Sequence, residues 1–297
     1  MNKPKQTNLS PAVKHLVKKY NIDITKIKGT GTDGRVTATD IEQYLSKTPD
    51  AKKVTLVHNN QPSQSSIPGK RIPHTLMRKI IADHMVDSML RTAPHVTAVF
   101  EADMSPVIAH REKEKKKFGK KGVKLTFTAY FVQATVQALK AVPEVNSRWH
   151  EDELEIFDDY NIGIATALDD GLIVPVIQKA RKLDLFKTAS VLQDLTSRAR
   201  EGKLKPDEVQ NGTFTITNHG VSGSLIATPI INQPQSAILG IGKLEKRVVV
   251  IEKNGKDITE IKPMVYITLT IDHRVLDGFK ANHFLTEFVN TLEKWKS

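Results

Sequence analysis

An α+β fold, a mixed sheet with helices packed on it, is what this sequence predicts. Three observations lead there. Several stretches alternate apolar and polar residues with period two, as half-buried strands do, and others repeat apolar residues at three- and four-residue steps, as amphipathic helices do. The two kinds are interleaved without the strict strand–helix–strand rhythm of an all-parallel sheet. The chain has 297 residues, 39% of them apolar, enough for one large domain and a smaller one.

The first element is a helix. Ser10-Pro11 reads as an N-cap with proline at the first helical position, and Val13, Leu16, Val17 and Tyr20 follow at helical spacing. After a turn around Asn21 to Ile24 comes Gly29-Thr30-Gly31-Thr32-Asp33-Gly34-Arg35, and Thr37-Ala38-Thr39-Asp40 then opens a second helix carrying Ile41, Tyr44 and Leu45. Two short helices predict a small domain over residues 5–46, near the lower size limit of independent folding, which offers surface rather than an interior for chemistry. The loop spells Gly-x-Gly-x-x-Gly, but Lys18 to Lys28 before it reads as a helix end and turn rather than a strand, and the chain soon enters a linker. It is read as a compact connection whose glycines permit positive φ, not as a nucleotide site. Residues 47–70, rich in Ser, Pro, Asn, Gln and Lys, predict a flexible tether.

Residues 71–297 read as one globular domain. A helix is expected through Leu76 to Ala82, a strand through Val96 to Ala102, and a long helix from Thr126 to Ala141, stopped before Pro143. Tyr160 to Leu168 and Leu172 to Ile177 flank Asp169-Asp170-Gly171 as the strands of a hairpin. Leu183 to Arg200 reads as an amphipathic helix, and Gly212 to Thr217, Ser236 to Ile241 and Met264 to Ile271 as further strands. In the last of these, Ile267, Leu269 and Ile271 face one side and Tyr266, Thr268 and Thr270 the other, the pattern of a half-buried strand. Phe284, Leu285, Phe288, Val289 and Leu292 give the C-terminal helix.

Composition narrows the chemistry. There is no cysteine, which excludes disulfides, thiolate metal sites and a cysteine nucleophile and fits a reducing compartment; any thiol has to arrive on a substrate. Neither a signal-peptide core nor a run of about 18 apolar residues is present, so a cytoplasmic protein with no membrane span and no metal is expected. The net charge is +11, and residues 1–47 hold nine basic side chains against four acids. The lysines from Lys113 to Lys121 read as a solvated helix end and loop.

Reactive side chains and a definable geometry coincide at Asp272-His273-Arg274-Val275-Leu276-Asp277-Gly278. His273 stands where a strand ends, and Asp277-Gly278 marks the corner into the last helix, so rigid elements on both sides hold the imidazole. A positioned imidazole can take a proton from a thiol or hydroxyl and return it at neutral pH. Taken alone, a histidine between acids is more often a surface or packing residue, and Thr217 alone is a strand-end threonine capping a turn.

That heptapeptide, Gly212-Thr213-Phe214-Thr215-Ile216-Thr217-Asn218, Gly171-Leu172-Ile173-Val174-Pro175-Val176-Ile177 and Thr228-Pro229-Ile230-Ile231-Asn232 together resemble the catalytic domain of the dihydrolipoyl acyltransferases of 2-oxo acid dehydrogenase complexes. Residues 5–46, through Ser10-Pro11-Ala12-Val13, Gly29-Thr30-Gly31 and Gly34-Arg35-Val36, resemble their peripheral subunit-binding domain. The resemblance implies a chloramphenicol-acetyltransferase-like fold, homotrimers assembled into a larger core, and acyl transfer between dihydrolipoamide and coenzyme A as co-substrate. His273 would be the general base and Thr217 the oxyanion donor, meeting from different subunits, with Asp277 holding the loop and Asn218 orienting Thr217. Leu172, Ile173 and Val174 fit the wall of a substrate channel and a plain buried strand equally well.

In the small domain, Lys14, Lys18 and Arg35 would meet acidic surfaces of the decarboxylase or the dihydrolipoyl dehydrogenase component. The lysines keep charge without the bidentate pairing of arginine. No segment resembles a lipoyl domain, so the lipoyl group is expected in trans or from a missing domain. Succinyl is the favoured acyl group. A free-standing chloramphenicol-type acetyltransferase and a non-catalytic basic scaffold or nucleic-acid-binding protein are the alternatives; the docking-like N-terminus counts against the first, and no nucleic-acid partner is expected.

Overall fold

The computed structural model describes residues 13, 17, 22–31, 34–47, 69–168 and 171–296, and the chain divides into two compact units, Met1–Ile72 and Pro73–Ser297. In the first unit, Val13 and Ile41 are buried. A short 3-10 turn, Ile24–Lys26, is capped by Asp23, and helix α1 spans Ala38–Lys47. The glycine loop between them closes on the Asp40 carboxylate, itself buried. It accepts bonds from the Thr30 N–H (3.0 Å), the Thr30 hydroxyl (2.6 Å) and the Thr37 N–H (2.8 Å). Only Gly34 of the three loop glycines takes positive φ, at 77°. Gly29 and Gly31 are needed for a different reason: a Cβ at either would run into the Arg35 carbonyl, to which the Gly31 N–H donates at 2.9 Å. The remainder of the expected first helix and residues 48–68 of the expected tether lie outside the described residues.

The second unit is built on a sheet in the order β1-β10-β8-β7-β4-β5, with β9 paired to β10 and β6 to β4. The strands are β1 (His95–Asp103), β4 (Ile162–Leu168), β5 (Gly171–Ile173), β6 (Val176–Ile177), β7 (Phe214–Asn218), β8 (Ala237–Ile241), β9 (Glu245–Lys253) and β10 (Lys256–Asp272); β2 (Ser147–Trp149) and β3 (Leu154–Ile156) form a separate ribbon. The sheet is mixed: β4, β7 and β8 run parallel, and β10 runs antiparallel to β1, β8 and β9.

One face of this sheet is apolar. Ile216, Leu239, Ile267, Leu269 and Ile271 pack there into a core shared with helices α4 (Phe127–Ala141) and α6 (Gly278–Glu293). Phe284 meets Phe214 at 5.7 Å between ring centroids, and Phe288 stacks on Phe131 at 6.4 Å. The other face is a carpet of threonines. Thr215, Thr268 and Thr270 are all about 1% exposed, and their hydroxyls are paired, as in Thr97–Thr270 at 2.8 Å and Thr215–Gln235 at 2.7 Å. The expected half-buried strand through Met264 to Ile271 is therefore buried on both faces. Alternation distinguishes apolar from polar, and it does not report that the polar face is also covered.

Three further differences have local causes. The lysine-rich stretch expected as a helix end and loop is the second half of helix α3 (Ser105–Lys120), entered through Pro106 and anchored by buried Phe118. The β9–β10 hairpin was not expected, although its turn is written as Asn254-Gly255, with φ of 54° and 70°, the residues a tight primed turn demands. The β4–β5 hairpin holds, with Thr166 opposite Ile173, but Val174-Pro175 interrupts its second strand before β6; Asp169 and Asp170 lie outside the described residues. Helices α2 (Leu76–Asp87) and α5 (Leu185–Arg200) match expectation, α5 being capped by Asp184.

Bonds from Thr30 and Thr37 hold the Asp40 carboxyl below the usual carboxylate range. A carboxylate depressed by folding stabilises the native state above the unfolded value of about 4, and that contribution is lost as pH falls through it toward the lowered one. Hydrogen exchange on the full chain is expected to show residues 24–47 losing protection on acidification below about 4 before the sheet does. Asp40→Ala should remove that protection at neutral pH; unchanged exchange in the variant would show that the loop is held by other means.

Candidate active site

The turn after β10 is anchored from three sides. Its backbone N–H at His273 donates to the Pro94 carbonyl at 2.9 Å, and the Val275 and Leu276 N–H groups return to the Asp272 carbonyl at 3.0 and 3.1 Å. The Asp272 carboxylate, almost fully buried, takes Arg274 as a fork: Nη2 to Oδ2 at 2.6 Å, Nε to Oδ1 at 3.0 Å, and the Arg274 N–H to Oδ1 at 3.0 Å. This pair raises the guanidinium pKa further. The guanidinium also lies over the Trp149 ring, 5.2 Å from its centroid. Asp277 ends the turn as the N-cap of α6, its carboxylate accepting from the Lys280 N–H at 2.9 Å. A carboxylate there also complements the helix dipole. The His273 side chain projects from this fixed backbone, exposed and with no hydrogen bond. Its free nitrogens and rigid base are what a proton acceptor for an incoming group needs.

Beneath the turn, His95 opposes Asp272 across the β1–β10 ladder. Its Nε2 accepts from the Ile231 N–H at 3.0 Å, so Nδ1 carries the proton and donates to the Ala93 carbonyl at 2.8 Å. This imidazole is committed to structure, pinning residue 231 to the strand.

Thr217 sits elsewhere. On β7 it is level with Ala165 of β4 and Gly240 of β8, and Gly240 is level with Thr268 of β10, five residues before His273. At about 3.4 Å per residue, Thr217 and His273 are offset by roughly 17 Å along the strands, and two strand spacings of about 4.8 Å add to that. Within one chain, then, the two stand well apart along the sheet. The Thr217 hydroxyl makes no hydrogen bond and is partly open to solvent. Asn218 makes no hydrogen bond to Thr217, and alternation along β7 puts the two side chains on opposite faces.

The remaining expected site residues divide between the two units. Leu172 is 53% exposed on edge strand β5, Ile173 is partly covered beside it, and Val174 lies over Gly163, within 2.7 Å of where a Cβ there would stand. Arg35 is exposed in the small unit, and Lys14 and Lys18 lie outside the described residues. Two residues were missed in the sequence. Asp272 was noted only as a flanking acid, and its salt bridge is visible only once the turn is folded. His219, two residues after Thr217, is enclosed with both ring nitrogens unpartnered; a histidine ahead of a glycine turn carries no signal that separates burial from exposure. Among the described residues, no group of His, Asp and Glu could hold a metal, and no helix is long and apolar enough to cross a membrane.

Comparison with known proteins agrees over almost the whole chain. Residues 68–297 match the model of the 2-oxoacid dehydrogenases acyltransferase catalytic domain, and residues 7–42 match that of the e3 binding domain. The chain is similar to the dihydrolipoyllysine-residue succinyltransferase component of the 2-oxoglutarate dehydrogenase complex of Rickettsia bellii, 43% identical over 96% of this chain and 70% of that protein. It is 37% identical to the lipoamide acyltransferase component of the branched-chain alpha-keto acid dehydrogenase complex of Bacillus subtilis, over 98% of this chain and 72% of the other. Among solved structures, the cubic core of the pyruvate dehydrogenase multienzyme complex matches with a TM-score of 0.73 at 32% identity, covering 78% of this chain and 94% of that one. The mixed α+β fold is thus the one these acyltransferase cores share, and the chain belongs to the 2-oxoacid dehydrogenase acyltransferase family.

Proposed function

We propose that the chain transfers a succinyl group between dihydrolipoamide and coenzyme A within a 2-oxo acid dehydrogenase complex, with His273 as general base and Thr217 as oxyanion donor contributed by different copies of the chain. The offset between these two residues along β10 carries the reading. Each bears a free polar group on a rigid element, and neither has a reaction partner among the described residues of its own chain. A repeated interface that sets the His273 end of one copy against the Thr217 end of the next completes the site, and a closed ring of three satisfies every copy.

In that site His273 removes the proton from the coenzyme A thiol, since the thiolate and not the thiol is the nucleophile. The sulfur adds to the carbonyl of the S-succinyl dihydrolipoyl thioester, and the oxygen that becomes negative accepts the Thr217 O–H. Collapse breaks the bond to the dihydrolipoyl sulfur, which leaves with the proton held by His273. Succinyl-coenzyme A and dihydrolipoamide are the products. Arg274, locked onto Asp272, keeps the acid beside His273 neutralised, and Asp277 fixes the far end of the turn. Leu172 to Val174 supply a wall for the carrier arms.

The catalytic unit also presents an apolar surface that a second copy would cover. Leu76, Met77 and Ile80 on α2 and Met89 and Leu90 in the π-helical turn after it (Ser88–Thr92) are 49–76% exposed. Their own segment is held by the Ser88 hydroxyl, which donates to the Ile231 carbonyl at 2.7 Å, and by His84–Asn232 at 3.2 Å. Residues 5–46 serve as the docking domain for the decarboxylase or dihydrolipoyl dehydrogenase component, with Lys14, Lys18 and Arg35 toward its acids, and residues 47–70 as the tether.

Assayed with dihydrolipoamide and succinyl-coenzyme A, His273→Ala is expected to lose about 10³-fold or more in kcat and Thr217→Ala about 10²-fold. Wild-type rates in both variants would remove the mechanism. Co-refolding the two variants in equal amounts should restore about a quarter of wild-type activity, because about a quarter of all the interfaces then pair an intact His273 with an intact Thr217. Activity no higher than the mean of the two separate variants would place the site within one chain. Leu76→Asp combined with Leu90→Asp should shift the protein to monomers in light scattering and abolish turnover; an unchanged mass would clear this surface of any role in assembly.

A further inference from the structure

His219 is the one enclosed histidine whose ring nitrogens find no partner among the described residues. It follows Thr217 and Asn218, and its backbone N–H donates to the Ile241 carbonyl at 3.1 Å, closing the end of β7 onto β8. The ring then folds back over the sheet. Its Nε2 lies 3.4 Å from the position a Cβ on Gly240 would occupy, with the Pro229 ring at the same distance and Thr268 on the same face. Gly240 is the cross-strand neighbour of Thr217, and paired residues project to the same face. The imidazole therefore lies on the threonine face of the sheet, over the residue that pairs with Thr217 across the β7–β8 ladder. A Cβ at 240 would collide with the Thr268 hydroxyl and come into contact with the ring.

Burial lowers the pKa of His219, opposed by the Ser224 backbone close to the ring, whose geometry falls short of a hydrogen bond to either nitrogen. A ring that only filled space would do so better as a hydrocarbon, since an enclosed donor and acceptor without partners are unfavourable. The segment over the ring ties back through the Lys243 N–H to the Ser224 carbonyl at 2.9 Å, while Val221, Leu225 and Ile226 project into solvent. An acyl chain whose carbonyl is bound at Thr217 extends its tail by only a few bonds, the reach needed to slip beneath that segment to the ring.

We infer that His219 is a specificity-determining residue that hydrogen-bonds the distal carboxylate of a dicarboxylic acyl group bound at Thr217. This rests on the acyl-transfer reading above and adds to it the group that tells one acyl chain from another. The ring donates N–H to the carboxylate, and the anion draws a second proton onto it, so the pair forms only when such a tail is present. A site built around this bond discriminates against acyl groups that lack a partner for it.

The test measures kcat/KM of the full chain with dihydrolipoamide and succinyl-, acetyl- and isobutyryl-coenzyme A, for wild type, His219→Phe and His219→Gln. His219→Phe keeps the ring volume and removes its nitrogens. The expected result is a loss of about 10²-fold toward succinyl with less than about threefold change toward acetyl, and partial recovery of succinyl transfer in His219→Gln. Acetyl transfer at near-wild-type rate shows that the variants fold. An equal fall for all three acyl groups, or no change for succinyl, overturns the assignment by making His219 a packing residue. Absence of transfer in wild type with every acyl group would instead overturn the acyl-transfer reading itself.

Discussion

A single strand sets the terms for everything else in the catalytic unit. Strand β10 runs unbroken for 17 residues and pairs in register with β1, β8 and β9, so it fixes how far apart any two points on the sheet must lie. Sheet register cannot drift by one residue without exchanging the two faces, and here both faces are buried, one with isoleucine and leucine and the other with threonine. The offset between Thr217 and His273 follows from this rigidity. No loop movement brings them together, because each is placed by a strand end in the middle of a ladder. A reaction that needs both has to be a property of an assembly.

The same sheet explains why the two faces are used so differently. The apolar face is closed by α4 and α6 and contributes stability, with Phe131 stacked on Phe288 and Phe214 packed on Phe284. The polar face is closed by residues 219–236, tied down through His95, Ser88 and Gln235. Polar groups collected under a cover and fully bonded give a dry, rigid floor, and a few free groups on that floor act with little competition from water. Thr217 and, just after it, His219 stand on that face at the β7–β8 seam.

Geometry at the other end is set by charge. Asp272 would be an unpaired buried acid beside His273 were it not for Arg274, which binds it through two side-chain nitrogens and its own backbone N–H. The pair leaves the imidazole next to a neutral unit, and the Trp149 ring lies against the guanidinium. In the small unit one carboxylate plays a comparable part: Asp40 gathers the glycine loop and the start of α1.

Much of this was legible in the sequence because it is written in local terms. Most of the long helices, most strands of the main sheet, the corner into the last helix at Asp277-Gly278, the β4–β5 hairpin and the end of a strand at His273 all follow from periodicity and turn chemistry over a few residues. Even the β9–β10 hairpin had its signal in Asn254-Gly255, though it went unread. Only the tertiary structure decided which strands adjoin, and that pairing is non-local: β10 lies between β1 and β8, which are separated from it by very different lengths of chain. From that pairing come the burial of the threonine face, the separation of Thr217 from His273, and the enclosure of His219 over Gly240. Spacing along a chain reports what a residue's neighbours in sequence require of it, whereas distance and burial depend on partners brought from far away, and no periodicity records those.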